Sequence, residues 1–211
     1  MATIYPRLSD TELEALPSRA EANVYRQLRA LDFPGLEVMH SLATQTRNDK
    51  GAWVGEIDFL LFHPQYGIQL WEVKGGGVWL DGEGQWWSQG NHGTHKLTTT
   101  PLEQLKKQTG SLVQALNRVL PGIKLPIAPV LVFPDTREWQ GTFPELTLNR
   151  DHVLLKGDIQ SLNAEQLIAR FQNTAWAGKG AANSIPLTKQ QTRLIQHHLL
   201  RPACALTTSV A

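Results

Sequence analysis

A single cysteine, Cys204, is the only thiol in the chain. It excludes an intrachain disulfide and any zinc site built on cysteines. Nowhere does an apolar run approach the roughly 20 residues that a helical membrane span needs. No apolar stretch follows basic residues near Met1, as a secretory signal would require. A cytoplasmic protein with no membrane role is therefore expected. Charge of one sign is missing too: 20 Lys and Arg stand against 19 Asp and Glu, a formal net charge of +1. That is not the footprint of a protein that coats a polyanion, although a local basic patch can act whatever the total. The loop G-x-x-x-x-G-K-[ST] is absent, so a P-loop ATPase activity cannot be claimed. Internal repeats and low-complexity tracts are absent as well.

What is there suits one ordinary domain plus a small extension: 211 residues, 41% hydrophobic and 18% charged. The order of elements reads as α/β with a mixed sheet at the centre. Ser9-Asp-Thr-Glu12 reads as a short helix start. Residues 18–31 place Ala22, Val24, Tyr25, Leu28 and Leu31 at helical spacing, and Pro34-Gly35 ends that run. Residues 36–42 are expected to form a strand and 43–53, polar and basic, a loop. Val78-Trp-Leu and Gln85-Trp-Trp flank Asp81-Gly-Glu-Gly84, a hairpin signal. Residues 101–120 form the clearest helix, with Pro101 in its first turn and Pro121-Gly122 as its stop. Strands are expected at 127–133 and 153–155, and helices at 163–176, capped by Asn163, and 187–200.

One stretch carries chemistry. Gly55-Glu-Ile-Asp58-Phe-Leu-Leu-Phe62 and Ile68-Gln-Leu-Trp-Glu72-Val-Lys74 are two β-prone runs separated by a Pro/Gly turn, and they read as a hairpin. With the loop centred on Gln65, cross-strand partners have numbers that sum to 130. Asp58 then faces Glu72 and Glu56 faces Lys74. Opposed residues share a face and alternate with period 2, so these four fall together on one face. Clustered carboxylates repel and resist ionising together. A shared proton or a bound cation relieves this, and an oxygen-only ligand set suits Mg²⁺ or Mn²⁺. A lysine beside that cation can orient or deprotonate a water, the arrangement of a metal-assisted hydrolysis site. The residues alone also allow a plain Glu/Asp/Lys salt-bridge network on a solvated sheet face.

Asp58 followed by Glu72-Val-Lys74 resembles the PD-(D/E)xK nuclease signature, and its context resembles the nuclease-related domain (NERD) family of that superfamily. Ser18-Arg-Ala-Glu21-Ala-Asn-Val-Tyr-Arg-Gln-Leu28 looks like the family's first helix with its acidic Glu21. Gly55-Glu-Ile-Asp58 and Gly67-Ile-Gln-Leu-Trp-Glu72-Val-Lys74 match its hairpin. Thr100-Pro101-Leu-Glu-Gln104 looks like the Pro-x-x-Gln that opens the following helix. The resemblance spans roughly residues 18–160. Ile57 stands where the superfamily motif has Pro, and Gly75-Gly-Gly follows Lys74 where many members have a polar residue.

The resemblance implies a restriction-endonuclease-like core and Mg²⁺-dependent (or Mn²⁺-dependent) hydrolysis of nucleic acid, DNA being the expected polymer, in DNA processing or repair. Asp58, Glu72 and the Val73 backbone carbonyl would hold the metal with help from Glu21. Lys74 would serve the water, and Gln104, at a helix N-terminus, the substrate. Lys96, Lys106, Lys107, Arg47 and Lys50 are candidates for a phosphate track, against the simpler reading of a solvated face. Trp79, Trp86 and Trp87 could stack on bases, although such residues more often cover a sheet. His63, His92 and His95 have no metal-ligand spacing. The segment Ile185-Pro-Leu-Thr-Lys-Gln-Gln-Thr-Arg-Leu-Ile195 resembles the glutamine-containing stretch before the nucleotide-binding motif of superfamily-one helicases, to which NERD domains are sometimes fused. A plain capping helix with Thr188 as N-cap is the simpler reading of it. The expected organisation is an N-terminal extension (1–17), the nuclease-like domain (18–176), and a Gly-rich linker with a C-terminal helix (177–211). The rival to an enzyme is a binding or accessory module that keeps the fold without turnover.

Overall fold

In a computed structural model, which describes residues 1–48, 51–90, 93–139, 150–174 and 185–200, the chain forms a six-stranded mixed sheet with helices on both faces. Its strands are β1 (Thr3–Tyr5), β2 (Glu37–Asn48), β3 (Gly51–His63), β4 (Gly67–Val73), β8 (Ile127–Phe133) and β9 (Val153–Leu155), side by side in that order. The β2–β3 and β3–β4 pairs are antiparallel; β1–β2, β4–β8 and β8–β9 are parallel. A second sheet of three short antiparallel strands, β5 (Gly77–Leu80), β6 (Trp86–Gly90) and β7 (Gly93–Lys96), follows β4 directly. The parallel strands β4 and β8 are buried from end to end, the expected property of a central parallel pair covered on two sides.

On one face lies α2 (Arg19–Ala30), with α1 (Asp10–Glu14), α4 (Lys156–Gln160) and α5 (Ala164–Thr174). Val24, Tyr25 and Leu28 of α2 pack there on Phe59, Leu61, Trp71 and Val132. The opposite face takes α3 (Pro101–Val119), the small sheet and α6 (Lys189–Ile195) with the π turn Gln196–Leu200. Leu105, Leu112 and Leu116 of α3 share that core with Leu60, Ile68, Leu70, Val78, Trp86, Leu187, Ile195 and Leu200. Local signals set the helix starts. Ser9 with Glu12, Thr100 with Glu103, and Thr188 with Gln191 each form a reciprocal capping box, and Asn163 Oδ1 accepts from Gln166 N at 3.0 Å. No helix among the described residues is long and apolar enough to cross a membrane.

Two expectations are corrected. Residues 43–48 and 51–53 are strand rather than loop, because β2 and β3 continue as one long hairpin whose pairs run out to Asn48↔Gly51. Thr44, Thr46, Trp53 and Val54 are β-prone residues, and the charges among them mask that preference. The strands β1 and β7 were also not foreseen. Each is three or four residues long, too short for alternation to show. Asp49, Lys50, His92, Cys204 and most of the 177–185 stretch lie outside the described residues.

The β3–β4 register agrees with the sum of 130: Phe59 pairs with Trp71, Leu60 with Leu70 and Phe62 with Ile68. The alternation, however, inverts at Asp58. Leu60 and Phe62 face the α3 side, and so does Ile57, three residues from Leu60. Met39 and Leu42 in β2 show the same inversion. Residues three apart on a regular strand would face opposite ways. The fault lies between Ser41 and Asp58, where the β2–β3 ladder skips a pair and Ser41 takes φ 55°. Glu56 is therefore not beside Asp58 as expected. It is exposed, and its backbone carbonyl is what reaches the core, where it accepts from Gln108.

The glycines after β4 fix how closely the small sheet approaches. Gly76 has φ +78°, and a Cβ there would stand 2.3 Å from the Gln89 carbonyl oxygen. Gly76→Ala should cost at least about 2 kcal/mol, from the left-handed backbone and the clash together, read as a lower urea midpoint. Gly82→Ala, where a Cβ meets nothing within 4 Å, should change it little; equal midpoints for the two variants would contradict this packing.

Candidate active site

Glu72 and Val73 end β4, and Lys74 follows at the carboxyl end of the parallel β4–β8 pair, the place where open α/β sheets form their crevices. Glu72 is 1% exposed, yet it is a charged residue in an apolar strand. Its partners explain how it is tolerated. The Lys74 ammonium lies 2.5 Å from its Oε1, and Gln108 Nε2 donates to its Oε2 at 2.8 Å. The same Nε2 donates to the Glu56 carbonyl at 2.7 Å, which fixes the amide. Gln108 Oε1 is left buried with no hydrogen-bond partner among the described residues.

Asp58 sits where the β3–β4 ladder ends. Beyond Phe59↔Trp71 no backbone pair follows; instead Asp58 Oδ2 accepts from the Val73 N–H at 2.7 Å. Lys74 N turns to the other neighbour and donates to the Val132 carbonyl at 2.9 Å. Asp58 thus fills the fork between strands that are parting. Burial, and then the neighbouring charge of Glu72, push its carboxyl up to about 8. The Val73 N–H and Lys74 pull the other way without cancelling that, and Glu21 adds to the rise. Two acids and one lysine leave the site short of positive charge.

Glu21 comes from the opposite face, one turn into α2. Its carboxylate lies 3.3 Å from His40 Nε2 on β2. Burial pushes Glu21 up, but the hydrogen bonds from His40 and Ser18, with the charges of His40 and Lys74, leave it below the usual range. Glu21 therefore lies within electrostatic reach of both Asp58 and Lys74. His40 itself was missed in the sequence, although a histidine in the otherwise apolar run Val38-Met-His40 was a signal.

Gln104 is half-buried in the first turn of α3, one turn before Gln108. Gln108 is the amide that touches Glu72, and its spacing of four from Gln104 puts both on one side of the helix. Lys96, Lys106 and Lys107 are exposed. Arg47 lies on β2 opposite Ala52. The tryptophans divide: Trp86 is core against Phe133 and Trp139, whereas Trp79 and Trp87 are half-buried on the other face of the small sheet. His63 is buried against Phe33 and Tyr66 and has no part in the site.

The donor set can be weighed against a metal. Among the described residues no three His, Cys, Asp or Glu side chains gather as a ready cage. What is gathered is a buried Glu72 and a half-buried Asp58 that share one lysine, beside an orphaned amide oxygen. Mg²⁺ is commonly held by one or two carboxylates with waters and substrate oxygens completing its shell, so a pair fits it.

Fold and site together define a mixed α/β protein that carries paired acids and a lysine at the carboxyl end of its central strands. A family model, nuclease-related domain (NERD), matches residues 17–134, more than half of the chain, and the chain belongs to that family. No curated protein and no solved structure matches the chain.

The raised carboxyl of Asp58 makes stability depend on pH. In the unfolded chain this group ionises near its ordinary value of 3.8, in the folded chain near 8. Between those values the folded state holds one proton more, so metal-free stability should fall as pH rises and level off above 8. Between pH 5 and 8 the wild type should lose on the order of 2 kcal/mol more than Asp58→Asn, measured by urea unfolding in EDTA. Parallel curves for the two proteins would show that Asp58 keeps no proton in the fold.

Proposed function

We propose that this chain is a metal-dependent phosphodiesterase with a restriction-endonuclease-like core that hydrolyses nucleic acid, DNA in particular, in DNA processing or repair. The observation that carries the reading is the half-buried Asp58 beside the buried Glu72, with the Lys74 ammonium on Glu72, set in the fork where β3 leaves β4. Membership of the nuclease-related domain family supports it.

Asp58, Glu72 and the Val73 carbonyl would hold Mg²⁺ or Mn²⁺, which would neutralise phosphate charge and make a bound water more acidic. The remaining work falls to the chain. Val73 N–H ties down Oδ2 of Asp58 and so fixes the direction of the carboxylate. Gln108 does the same for Oε2 of Glu72, and its unpartnered Oε1 can accept from a water beside the acids. Lys74 is 29% exposed and so faces both Glu72 and solvent. It can hold the attacking water and stabilise charge that develops on the phosphoryl oxygens. Glu21, anchored by His40, adds negative potential that draws a cation to the site. Gln104 would act on the substrate side. Lys96, Lys106 and Lys107, with Arg47 and Lys50, would follow the phosphate backbone.

A helicase partner or fusion would belong to the same reading through the 185–195 segment, but the seating of its Leu187 and Ile195 in the α3-side core supports a plain capping helix instead. A non-catalytic accessory module is the second reading. The lack of a three-acid cluster among the described residues favours it.

Cleavage assays on labelled single- and double-stranded DNA and RNA, with and without Mg²⁺ or Mn²⁺, decide between them. Lys74→Ala should cut about 10²–10³ times more slowly while millimolar Mg²⁺ still raises its melting temperature. Asp58→Asn should lose both cleavage and the Mg²⁺ shift, since an amide is a poorer ligand for a hard cation. A wild-type protein that neither cuts any substrate nor shifts with either metal is an accessory module.

A further inference from the structure

The three-stranded sheet has an outward face that the fold does not use. Cross-strand pairing sets Trp79 opposite Trp87 and Trp87 opposite Lys96, a row of two rings and one cation. The inward face, Val78, Leu80, Trp86 and Ser88, is buried. Trp79 and Trp87 remain half-buried, stacked with ring centres 6.4 Å apart and planes 12° from parallel. Asp81 accepts from Trp87 Nε1 at 2.7 Å and steadies the rear ring. Trp79 Nε1 has no such bond among the described residues. Trp79 is thus a supported ring with solvent before it.

In front of Trp79 lies a cavity of about 540 Å³, lined by Gly77, Trp79, Gln89, Asp135, Arg137 and Glu138 among others. That is within the range of small-ligand sites. It adjoins the candidate active site. Asp135 lines it and also accepts from Gly76 N at 2.8 Å, two residues past Lys74. Gly77 is three residues past Lys74, at most about 11 Å along the chain. The cavity therefore lies by the carboxyl ends of β4 and β8, the end of the sheet where Glu72 and Lys74 stand. The lining favours a base over a phosphate: one aromatic wall, one amide, and two carboxylates against a single arginine. Carboxylates repel phosphate but accept from exocyclic amino groups.

We infer that this cavity takes an unpaired nucleobase stacked on Trp79, so that the strand presented to Asp58, Glu72 and Lys74 is single. The inference rests on the nuclease reading for what happens at Lys74, but not for binding. A base within a duplex is stacked on its neighbours and would have to leave the helix to enter. A single strand presents its bases freely, with Lys96 and Arg137 placed for its phosphates.

The test is anisotropy of labelled oligothymidylate, oligodeoxyadenylate and a matching duplex, measured in EDTA so that nothing is cut. The wild type should bind the single strands more tightly than the duplex. Trp79→Ala should weaken single-strand binding roughly 5- to 150-fold, the range of one lost base stack, and Trp79→Phe should restore most of it. Photocrosslinking of a 5-bromodeoxyuridine oligonucleotide to the wild type should mark Trp79 or residues 135–138, a readout independent of how the variants fold. Equal or tighter duplex binding, unchanged affinity in Trp79→Ala, no single-strand binding, or a crosslink elsewhere would each overturn the inference. If Mg²⁺-dependent cleavage is present and indifferent to Trp79, only this inference fails. If Trp79-dependent binding is present without cleavage, only the nuclease reading fails.

Discussion

The hydrogen bond from the Val73 backbone N–H to the Asp58 carboxylate is the hinge of the architecture. In a continuing antiparallel ladder that N–H would bond a carbonyl of β3. Here a side chain takes its place, and β3 is released from β4 at the position where the acids stand. A buried N–H cannot go unpaired without cost, so Asp58 satisfies β4 while letting the sheet open. The gap so formed is lined by Asp58 from one strand and by Glu72 and Lys74 at the end of the other. Glu21 and Gln108 reach it from helices on opposite faces of the sheet. The inverted alternation at Ser41 and Asp58 belongs to the same event. A non-glycine residue at φ 55° is uncommon, and it stands directly across from the residue that leaves the ladder.

Burial then sets the electrostatics. Glu72 has its own lysine and its own amide, and its charge is met. Asp58 has one backbone N–H, and next to it the charge of Glu72. A structural salt-bridge network would be expected to match its charges, since an unmatched buried carboxylate costs stability. This site leaves one acid unmatched and holds it near neutrality by its surroundings. Perturbed groups of that kind concentrate where chemistry is done, and the arrangement admits a cation as the missing partner.

Much of this was legible in the sequence for local reasons. The hairpin register followed from one short turn between two β-prone runs, because a tight turn fixes pairing on both sides of it. Capping residues announced α1, α5 and α6, because a helix start needs side-chain acceptors wherever it occurs, and Pro101 with Pro121-Gly122 marked the ends of α3. The features that were not legible are those that other parts of the chain decide. Period-2 reasoning put Glu56 beside Asp58, but the fault in the β2–β3 ladder inverts the faces, and its origin lies at Ser41, seventeen residues away. Gln108 was passed over for Gln104 because a helix pattern gives the side of a residue but not the depth at which it meets a sheet. His40 was passed over because its partner, Glu21, is on another element.

The three glycines after Lys74 tie the opened fork to the small sheet. A Cβ on Gly75 would meet the Ala20 methyl at 3.0 Å and the Asp135 carboxylate at 3.4 Å, and on Gly76 the Gln89 backbone at 2.3 Å. A side chain on Gly76 would push β6 away from the carboxyl end of β4, and one on Gly75 would press on α2. The backbone of Gly76 hydrogen-bonds Asp135, and Asp135 lines the same cavity as Trp79. The chain is kept bare at Gly76 so that a second sheet can stand at the edge of the acids.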